Sequence, residues 1–376
     1  MKQKIVLIVI LVFCLNLVSS ADAAALEVSA KSAVLICADS GQILYALNEN
    51  MQMPMASTTK IMTALLALEN LPLNETVTVG NEVLRVDGTS LGLKPGDQIV
   101  LYDLVCGMML ASGNDAANAV AVAVSGSVDA FVALMNLRAK EIGMENTVFG
   151  TPSGLDAQAH FSTAADMALL TRTALRNEAF AQIASTYNAK ISIGDRTVWL
   201  TNHNRLLNSY SGMTGVKTGF TKKSGRCLVT SAQRNDTEII AVTLQAPDDW
   251  NDHRALLDYG FSVTETYTLT PETQTYYVDV VGSAISRVSC SANGMLAYSA
   301  QSQLQNVEQV VCLPQFIYAP ARAGEVIGEI LFFNEGQYMD RVPLCLDENI
   351  DVALQMQGLS FTDRILQKLN GWFLNG

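Results

Sequence analysis

The sequence contains few histidines and lacks several short motifs that mark common kinds of functional site. Only three histidines occur in 376 residues, and His160, His203 and His253 are scattered without the spacing of zinc ligands. No C-x-x-C pair, no G-x-x-x-x-G-K phosphate loop and no evident histidine–aspartate pair for activating a serine is present. These absences argue against a zinc site and against a nucleotide-binding loop.

Basic residues are also few. The chain has 24 Lys+Arg against 36 Asp+Glu, which gives a formal net charge of -12, and its only short basic run is TKKSGR at 221–226. Nucleic-acid binding requires a basic patch that neutralises phosphates, so we expect no nucleic-acid partner. The length is that of two domains, one large and one small.

Long apolar runs are absent except at the N-terminus. There, MKQK is followed by the apolar stretch IVLIVILVFCLNLV and then by small residues that offer an A-x-A cleavage site. We therefore expect a signal peptide at 1–23, a mature chain beginning near Ala24, and export from the cytoplasm. No later segment is long and apolar enough to predict a membrane span.

Removal of the signal peptide leaves six of the seven cysteines. Export permits disulfides, but the sequence cannot give their connectivity. Cys37, Cys106 and Cys227 lie within apolar runs, where buried free thiols are expected. A Cys290–Cys312 or a Cys312–Cys345 bridge is left open.

Hydrophobic patterning predicts an α+β fold. The segment at 32–50 is typical of a hairpin, a helix follows from Met55 or Ala56, and further helices are expected between Leu101 and Arg176. Strands return with VKTGFT at 216–221 and with the hairpin that begins at Gly225 and turns at RNDT. Early and late strands can then join one antiparallel sheet with helices between them.

The pattern changes near Tyr267. Short β-type segments alternate with Gly, Pro and Asn from there on, which indicates a small β-rich domain at 267–357 after a first domain at 24–266. The pattern of the last segment, 358–376, predicts an amphipathic helix with Phe361 and Phe373 on one face. We expect this helix to lie in a membrane interface; docking on the protein's own surface is the alternative.

Three short motifs are candidates for chemistry. The segment PMASTTKIMTALLALE places Ser57 three residues before Lys60, so both side chains lie on one face at the start of a helix. The segments ASGNDA and VKTGFT supply Ser112-Gly113-Asn114 and Lys217-Thr218-Gly219. Each motif alone is weak, but each occurs once, and they follow the order found in penicillin-binding proteins and serine β-lactamases.

The residue types suit nucleophilic catalysis by a serine. A serine hydroxyl needs an adjacent base, and Lys60 can serve Ser57 if burial, the helix N-terminus and the charge of Lys217 favour its neutral form. Ser112 can relay a proton to a leaving amine, and Asn114 can hydrogen-bond a substrate amide. Without the other motifs, Ser57 would be a helix cap and Lys60 a solvated lysine.

The third motif suits substrate binding. Lys217 and Thr218 can bind a terminal carboxylate, and Gly219 lets the strand approach the substrate backbone. The N–H groups of Ser57 and Phe220 can form an oxyanion hole.

From about Ala25 to Ser360 the chain resembles the low-molecular-mass penicillin-binding proteins, serine-type D-alanyl-D-alanine carboxypeptidases of peptidase family S11. The resemblance includes the three motifs and the segments GLKPGD, NTVFGTPSGLD, STAADMALL and NHNRLL. It implies a transpeptidase/β-lactamase-like catalytic domain, a β-rich second domain and a C-terminal amphipathic anchor. It also implies Ser57 as the acylated nucleophile, Lys60 as its base, Ser112 and Asn114 as the second motif, and Lys217 at the substrate carboxylate.

The expected function is removal of the terminal D-alanine from peptidoglycan stem pentapeptides ending in D-Ala-D-Ala, at the outer face of the cytoplasmic membrane. No cofactor is required, and β-lactams are the expected inhibitors. A D,D-endopeptidase, a β-lactamase and a non-catalytic wall protein are the alternatives. S-G-N in place of S-D-N, and no clear E-x-x-L-N glutamate, favour the carboxypeptidase over a class A β-lactamase.

Overall fold

The computed structural model describes residues 26–84, 86–273, 275–301 and 303–353. The predicted signal peptide at 1–23 and the predicted helix at 358–376 lie outside these residues. The chain divides into two compact units, Met1–Leu35 with Tyr45–Thr230 and Ala241–Gly260, and Ile36–Leu44 with Ser231–Ile240 and Phe261–Gly376. The domain boundaries expected from the sequence stay predictions.

The first unit is rich in helices. Its helices are α1 Lys60–Asn70, α2 Leu101–Leu110, α3 Asn114–Ser125, α4 Val128–Ile142, α5 Ala164–Leu175 and α6 Glu178–Ser185, and α7 Asp249–Val263 begins in it. Helix α1 packs against α2, α3, α5 and α6, and its side chains from Lys60 to Ala67 are all buried. The first two turns of α1 are thus buried on all sides, which is how Lys60 comes to be enclosed.

Five strands form the main sheet, in the order β2-β1-β9-β8-β7, so the early hairpin joins the late strands as predicted. These strands are β1 Ser32–Cys37, β2 Ile43–Leu47, β7 Met213–Thr221, β8 Gly225–Arg234 and β9 Thr237–Leu244. Two small antiparallel sheets pair β3 Thr76–Thr78 with β4 Gln98–Val100, and β5 Asn188–Ile193 with β6 Arg196–Thr201. Strand β7 lies at an edge of the main sheet and packs on the turn that carries Ser57.

The second unit is built mainly from strands. Strand β10 Glu265–Leu269 pairs with β13 Leu296–Ala300, and a six-stranded sheet has the order β14-β16-β17-β12-β11-β15. Its members are β11 Thr275–Val281, β12 Arg287–Ala292, β14 Val307–Cys312, β15 Phe316–Tyr318, β16 Val326–Asn334 and β17 Gln337–Leu346. Alternating residues such as Ile330, Phe332 and Leu344 form its core. The α+β class with a β-rich second part is therefore confirmed.

The structure differs from the sequence prediction in local detail. The α-helix α1 starts at Lys60 rather than at Met55 or Ala56, because Ala56–Thr59 form a 3-10 turn ahead of it. The stretch expected to be largely helical contains α2 to α5, but residues 143–163 between α4 and α5 contain no helix. Within the described residues no single helix reaches the length and apolarity of a membrane span; α3 and α4 do so only together, with an 82° bend between them.

All six described cysteines are free thiols, and neither of the two bridges left open is formed. Cys37, Cys106 and Cys227 are buried, as expected. Burial raises the pKa of the Cys37 and Cys227 thiols to about 11 and that of Cys106 to about 12. These three thiols therefore stay protonated and pack as small apolar groups.

Candidate active site

The turn that carries Ser57 is held by its own threonines. Thr58 donates its hydroxyl to the carbonyl of Met55 at 2.6 Å, and Thr59 donates to the carbonyl of Ala56 at 2.7 Å. Ala56 has a φ of 49°, a left-handed conformation that is unfavourable for alanine and that clusters at functional sites in proteins. The turn presents Ser57 to a cleft, while its neighbours are buried.

The amine of Lys60 is fully buried beside Ser57. Its Nζ lies 2.9 Å from Oγ of Ser57, 2.7 Å from Oδ1 of Asn114 and 2.6 Å from the carbonyl oxygen of Ser153. A neutral amine has two N–H donors and one lone pair. Asn114 and Ser153 accept two hydrogen bonds, so a neutral Lys60 directs its lone pair at the Ser57 hydroxyl.

The electrostatic surroundings favour that neutral form. Burial and the nearby charge of Lys217 hold the pKa of Lys60 well below its ordinary value of 10.5, and the carboxylate of Asp115 opposes them. The sequence analysis named burial and the charge of Lys217 as the causes, and of the two burial is the larger. Asp115 accepts hydrogen bonds from the backbone N–H groups of Leu91 and Leu93, which fixes the loop before α2.

The second motif lies between α2 and α3. Ser112 lines the cleft with a φ of 60° and is 6% exposed. Asn114 begins α3, and its Nδ2 donates to the carbonyl of Asp87 at 2.7 Å while its Oδ1 accepts from Lys60. Both ends of the Asn114 amide therefore bond protein groups, and Asn114 is only 4% exposed.

The third motif lies on the edge strand β7. Lys217 is buried, its Nζ donates to the carbonyl of Thr218 at 3.1 Å, and burial lowers its pKa to about 7. Thr218, Gly219 and Phe220 line the cleft, and Phe220 is 66% exposed. An edge strand offers unpaired backbone groups, along which an extended peptide can bind.

Gly219 permits the close approach of β7 to the serine turn. A β-carbon on Gly219 would lie 3.1 Å from the backbone nitrogen of Ser57 and 3.1 Å from the carbonyl oxygen of Met55. A side chain here would crowd the N–H group that the sequence analysis assigned to an oxyanion hole. Gly219 thus keeps β7 close to the serine turn, and a side chain there would require a small shift of the strand.

The cleft has a volume of about 680 Å³ and contains residues that the sequence analysis did not select. Five of them are Tyr187, His203, Arg205, Arg226 and Trp250. The sequence signals for them were segments of the family resemblance: NHNRLL at 202–207 contains His203 and Arg205, GVKTGFTKKSGRCLVTSA at 215–232 contains Arg226, and APDDWNDHRALLDYGF at 246–261 contains Trp250. Tyr187 had no such signal. The carbonyl of Ser153 was also missed, since a backbone acceptor leaves no side-chain signature.

Two histidines have other partners. His160 pairs with the hydroxyl of Thr59 at 2.9 Å and accepts the backbone N–H of Gly150, and its pKa is lowered by burial to about 4. His253 lies between the hydroxyls of Thr230 and Thr243, with its pKa lowered by burial to about 3. Neither is bonded to Ser57, whereas Nζ of Lys60 lies 2.9 Å from its Oγ. In the described part of the chain, no three His, Cys, Asp or Glu side chains are grouped to hold a metal.

Comparison with known proteins identifies the family. The model of peptidase family S11, described as D-alanyl-D-alanine carboxypeptidase, matches residues 18–248. The chain belongs to this family of serine carboxypeptidases. The D-alanyl-D-alanine carboxypeptidase DacF of Bacillus subtilis is 33% identical over 86% of each chain. DacC of Escherichia coli is 34% identical over 92% of this chain and 90% of its own.

Solved structures agree with the S11 assignment. Penicillin binding protein 5 from Haemophilus influenzae is 28% identical, covers 86% of this chain and 98% of its own, and superposes with a TM-score of 0.63. The enzyme class expected from the sequence, a serine-type carboxypeptidase, is thereby confirmed, and so is the penicillin-binding-protein fold.

Proposed function

We propose that this S11 carboxypeptidase removes the terminal D-alanine from peptidoglycan stem peptides through an acyl-enzyme on Ser57. The observation that carries the assignment of the nucleophile is the 2.9 Å contact between Oγ of Ser57 and the buried Nζ of Lys60. A serine hydroxyl next to an amine of lowered pKa is an activated nucleophile.

In the first half-reaction, Oγ of Ser57 attacks the carbonyl carbon of the peptide bond between the two D-alanines. Its proton passes to the lone pair of Lys60, and the N–H groups of Ser57 and Phe220 stabilise the oxyanion. The C–N bond then breaks. The leaving nitrogen takes a proton from Lys60, relayed by the hydroxyl of Ser112, and D-alanine departs.

In the second half-reaction, a water molecule attacks the ester carbonyl. Lys60 takes a proton from the water and returns it to Oγ of Ser57 when the ester bond breaks. The shortened stem peptide leaves with a new terminal carboxylate, and the enzyme is restored without a cofactor.

Substrate binding is assigned to strand β7. The stem peptide lies along its free edge, with its terminal carboxylate near Lys217 and Thr218 and an amide N–H on Oδ1 of Asn114. β-Lactams acylate Ser57 in the same place, which accords with the relationship to a penicillin binding protein.

We further propose export of the chain by the leader at 1–23 and peripheral attachment to the outer face of the cytoplasmic membrane by 358–376. The support is the apolar leader and the amphipathic pattern of the terminal segment. Deletion of 359–376 followed by cell fractionation tests the anchor: membrane association that survives the deletion rejects it.

The deciding experiment measures D-alanine release from a peptide ending in Lys-D-Ala-D-Ala, using the wild type and Ser57→Ala. We expect release by the wild type alone, and labelling of the wild type alone by a fluorescent penicillin. A covalent penicillin adduct on Ser57→Ala would refute the assignment of the nucleophile. Cleavage of dimeric muropeptides without D-alanine release would favour the endopeptidase, and rapid penicillin turnover the β-lactamase.

A further inference from the structure

The cleft contains a tryptophan flanked by two guanidinium groups. The guanidinium carbon of Arg205 lies 6.0 Å from the ring centroid of Trp250, and that of Arg226 lies 5.5 Å from it. All three residues line the cleft that also contains Ser57 and Ser112. Stacking on an aromatic face restricts a guanidinium to a plane and leaves its N–H edge available for hydrogen bonds.

The two arginines differ in their ion pairing. Arg226 donates from Nε at 2.9 Å and from a terminal nitrogen at 2.8 Å to one carboxylate oxygen of Asp249, whose side chain is 4% exposed. Arg205 is exposed, and it has no ion pair among the residues that the structure describes. The charge of Arg226 is therefore compensated within the protein, whereas that of Arg205 is open to a ligand.

Lys217 provides a less permanent charge. Its amine is buried, bonds the carbonyl of Thr218, and has a pKa lowered to about 7, so it is only partly protonated at neutral pH. A guanidinium stays charged throughout the physiological range. Among the residues that line the cleft, Arg205 is thus the permanent cation without a carboxylate partner in the described structure.

We propose that Arg205, held against Trp250, binds a carboxylate of the substrate peptide and contributes to its selection. This inference rests on the proposed function, since it assumes a peptide in this cleft. The carboxylate has two sources, the C-terminus of the peptide and an acidic residue earlier in the stem. Both offer two oxygens to the free edge of the guanidinium, in the geometry that arginine binds best.

The test measures peptide binding in a Ser57→Ala background, where the peptide is not consumed. Three synthetic pentapeptides ending in D-Ala-D-Ala are titrated by calorimetry: the free acid, its C-terminal amide, and the free acid with the stem carboxylate amidated. Each is compared between Ser57→Ala and Ser57→Ala/Arg205→Ala. Loss of one charge-assisted contact should weaken the free acid roughly tenfold.

The pattern of losses identifies the source. If the C-terminus is the ligand, the C-terminal amide binds both proteins equally and the stem amide still loses affinity on Arg205→Ala. If the stem carboxylate is the ligand, the peptide with the amidated stem carboxylate binds both proteins equally, and the C-terminal amide still loses affinity on Arg205→Ala. Equal losses for all three peptides, no loss for any, or no measurable binding of the free acid would overturn the proposal.

Matched variants distinguish the specific loss of the Arg205 charge from a general loss of positive charge and from a change in how Arg205 is held. Lys222→Ala removes an exposed positive charge from the turn after β7, outside the residues that line the cleft, and should leave all affinities within twofold. Trp250→Phe keeps an aromatic surface under Arg205 and should retain most of the affinity, whereas Trp250→Ala should lose as much as Arg205→Ala. Failure of the proposed function would appear separately, as absence of D-alanine release by the wild type, while the binding data would still report on Arg205.

Discussion

Gly154 packs against the main chain at Ala56, the residue that precedes the candidate nucleophile. A β-carbon on Gly154 would lie 2.0 Å from the carbonyl oxygen of Ala56 and 2.9 Å from the nitrogen of Ser57. Gly154 also has a φ of 87°, which L-residues with a side chain rarely adopt. The loop that contains Ser153 and Gly154 thus packs against the turn of Ser57. In the same loop, the carbonyl of Ser153 accepts a hydrogen bond from Lys60.

Gly154→Ala should therefore displace the serine turn. Gly96→Ala is the matched control, because Gly96 has a φ of 82° but nothing within 4 Å of the added carbon. The control should lose about 1–2 kcal/mol of unfolding free energy from backbone strain alone. Gly154→Ala should lose more and should also lose penicillin acylation. Equal stability losses with normal acylation in both would contradict the packing argument.

Gly219→Ala should lower activity with little loss of stability. The added carbon would meet the backbone nitrogen of Ser57 at 3.1 Å, a contact that a small shift of β7 relieves. That shift would disturb the oxyanion hole, where one donor contributes roughly 10²–10³ in kcat. Penicillin acylation rates and urea unfolding measure the two effects. Normal acylation would show that β7 need not approach the serine so closely.

Asn114→Asp should move the acid limb of the acylation profile to higher pH. A carboxylate 2.7 Å from Nζ of Lys60 would favour the ammonium form, and an opposite charge at this distance shifts a pKa by about 1–3 units. Acylation requires the neutral amine, so the rate below the shifted pKa should fall. The measurement is the acylation rate between pH 5 and about pH 10.

Asn136→Asp is the control for that change. The Asn136 amide also bonds backbone on both sides, donating to Val132 and Phe149 and accepting from the N–H of Phe149, but it does not touch Lys60. The acid limb of the acylation profile of Asn136→Asp should therefore lie at the same pH as in the wild type. An identical shift in both variants would mean that the effect is not exerted through Lys60.

Lys217→Met should stabilise the protein most at low pH. Below about pH 7 the Lys217 amine is charged in both the folded and the unfolded protein. The full cost of burying that charge then lowers the free energy of unfolding. Between pH 7 and the ordinary pKa of 10.5 only the unfolded chain still holds the proton, so this cost declines as the pH rises. Each unit of displacement corresponds to about 1.4 kcal/mol.

The stability gain of Lys217→Met, measured by urea unfolding, should therefore shrink steadily from pH 7 to pH 10. Acylation by penicillin should fall below about pH 7, where the folded wild type has a cation at the carboxylate site and Lys217→Met has none. Stability curves of the two proteins that run parallel across this range would show that the Lys217 amine is not buried in its charged form.

The class of fold and the chemistry-bearing side chains could be predicted from the residues alone. Serine and lysine three residues apart occupy one face of a turn, S-G-N lies in an interhelical loop, and K-T-G lies on a strand; each is a local pattern. Local patterns can be recognised in a single sequence because the geometry of helices and strands repeats every few residues. Family resemblance then joined the three patterns into one candidate site.

How these residues are held could be seen only in the folded chain. The carbonyl of Ser153 and the amide of Asn114 lie 93 and 54 positions from Lys60, yet both bond its amine. Arg205 and Trp250 likewise meet only through folding. Such contacts depend on packing between distant segments, and a backbone acceptor carries no mark in the sequence. Burial, which sets the pKa of both lysines, is for the same reason a property of the packed chain rather than of any motif.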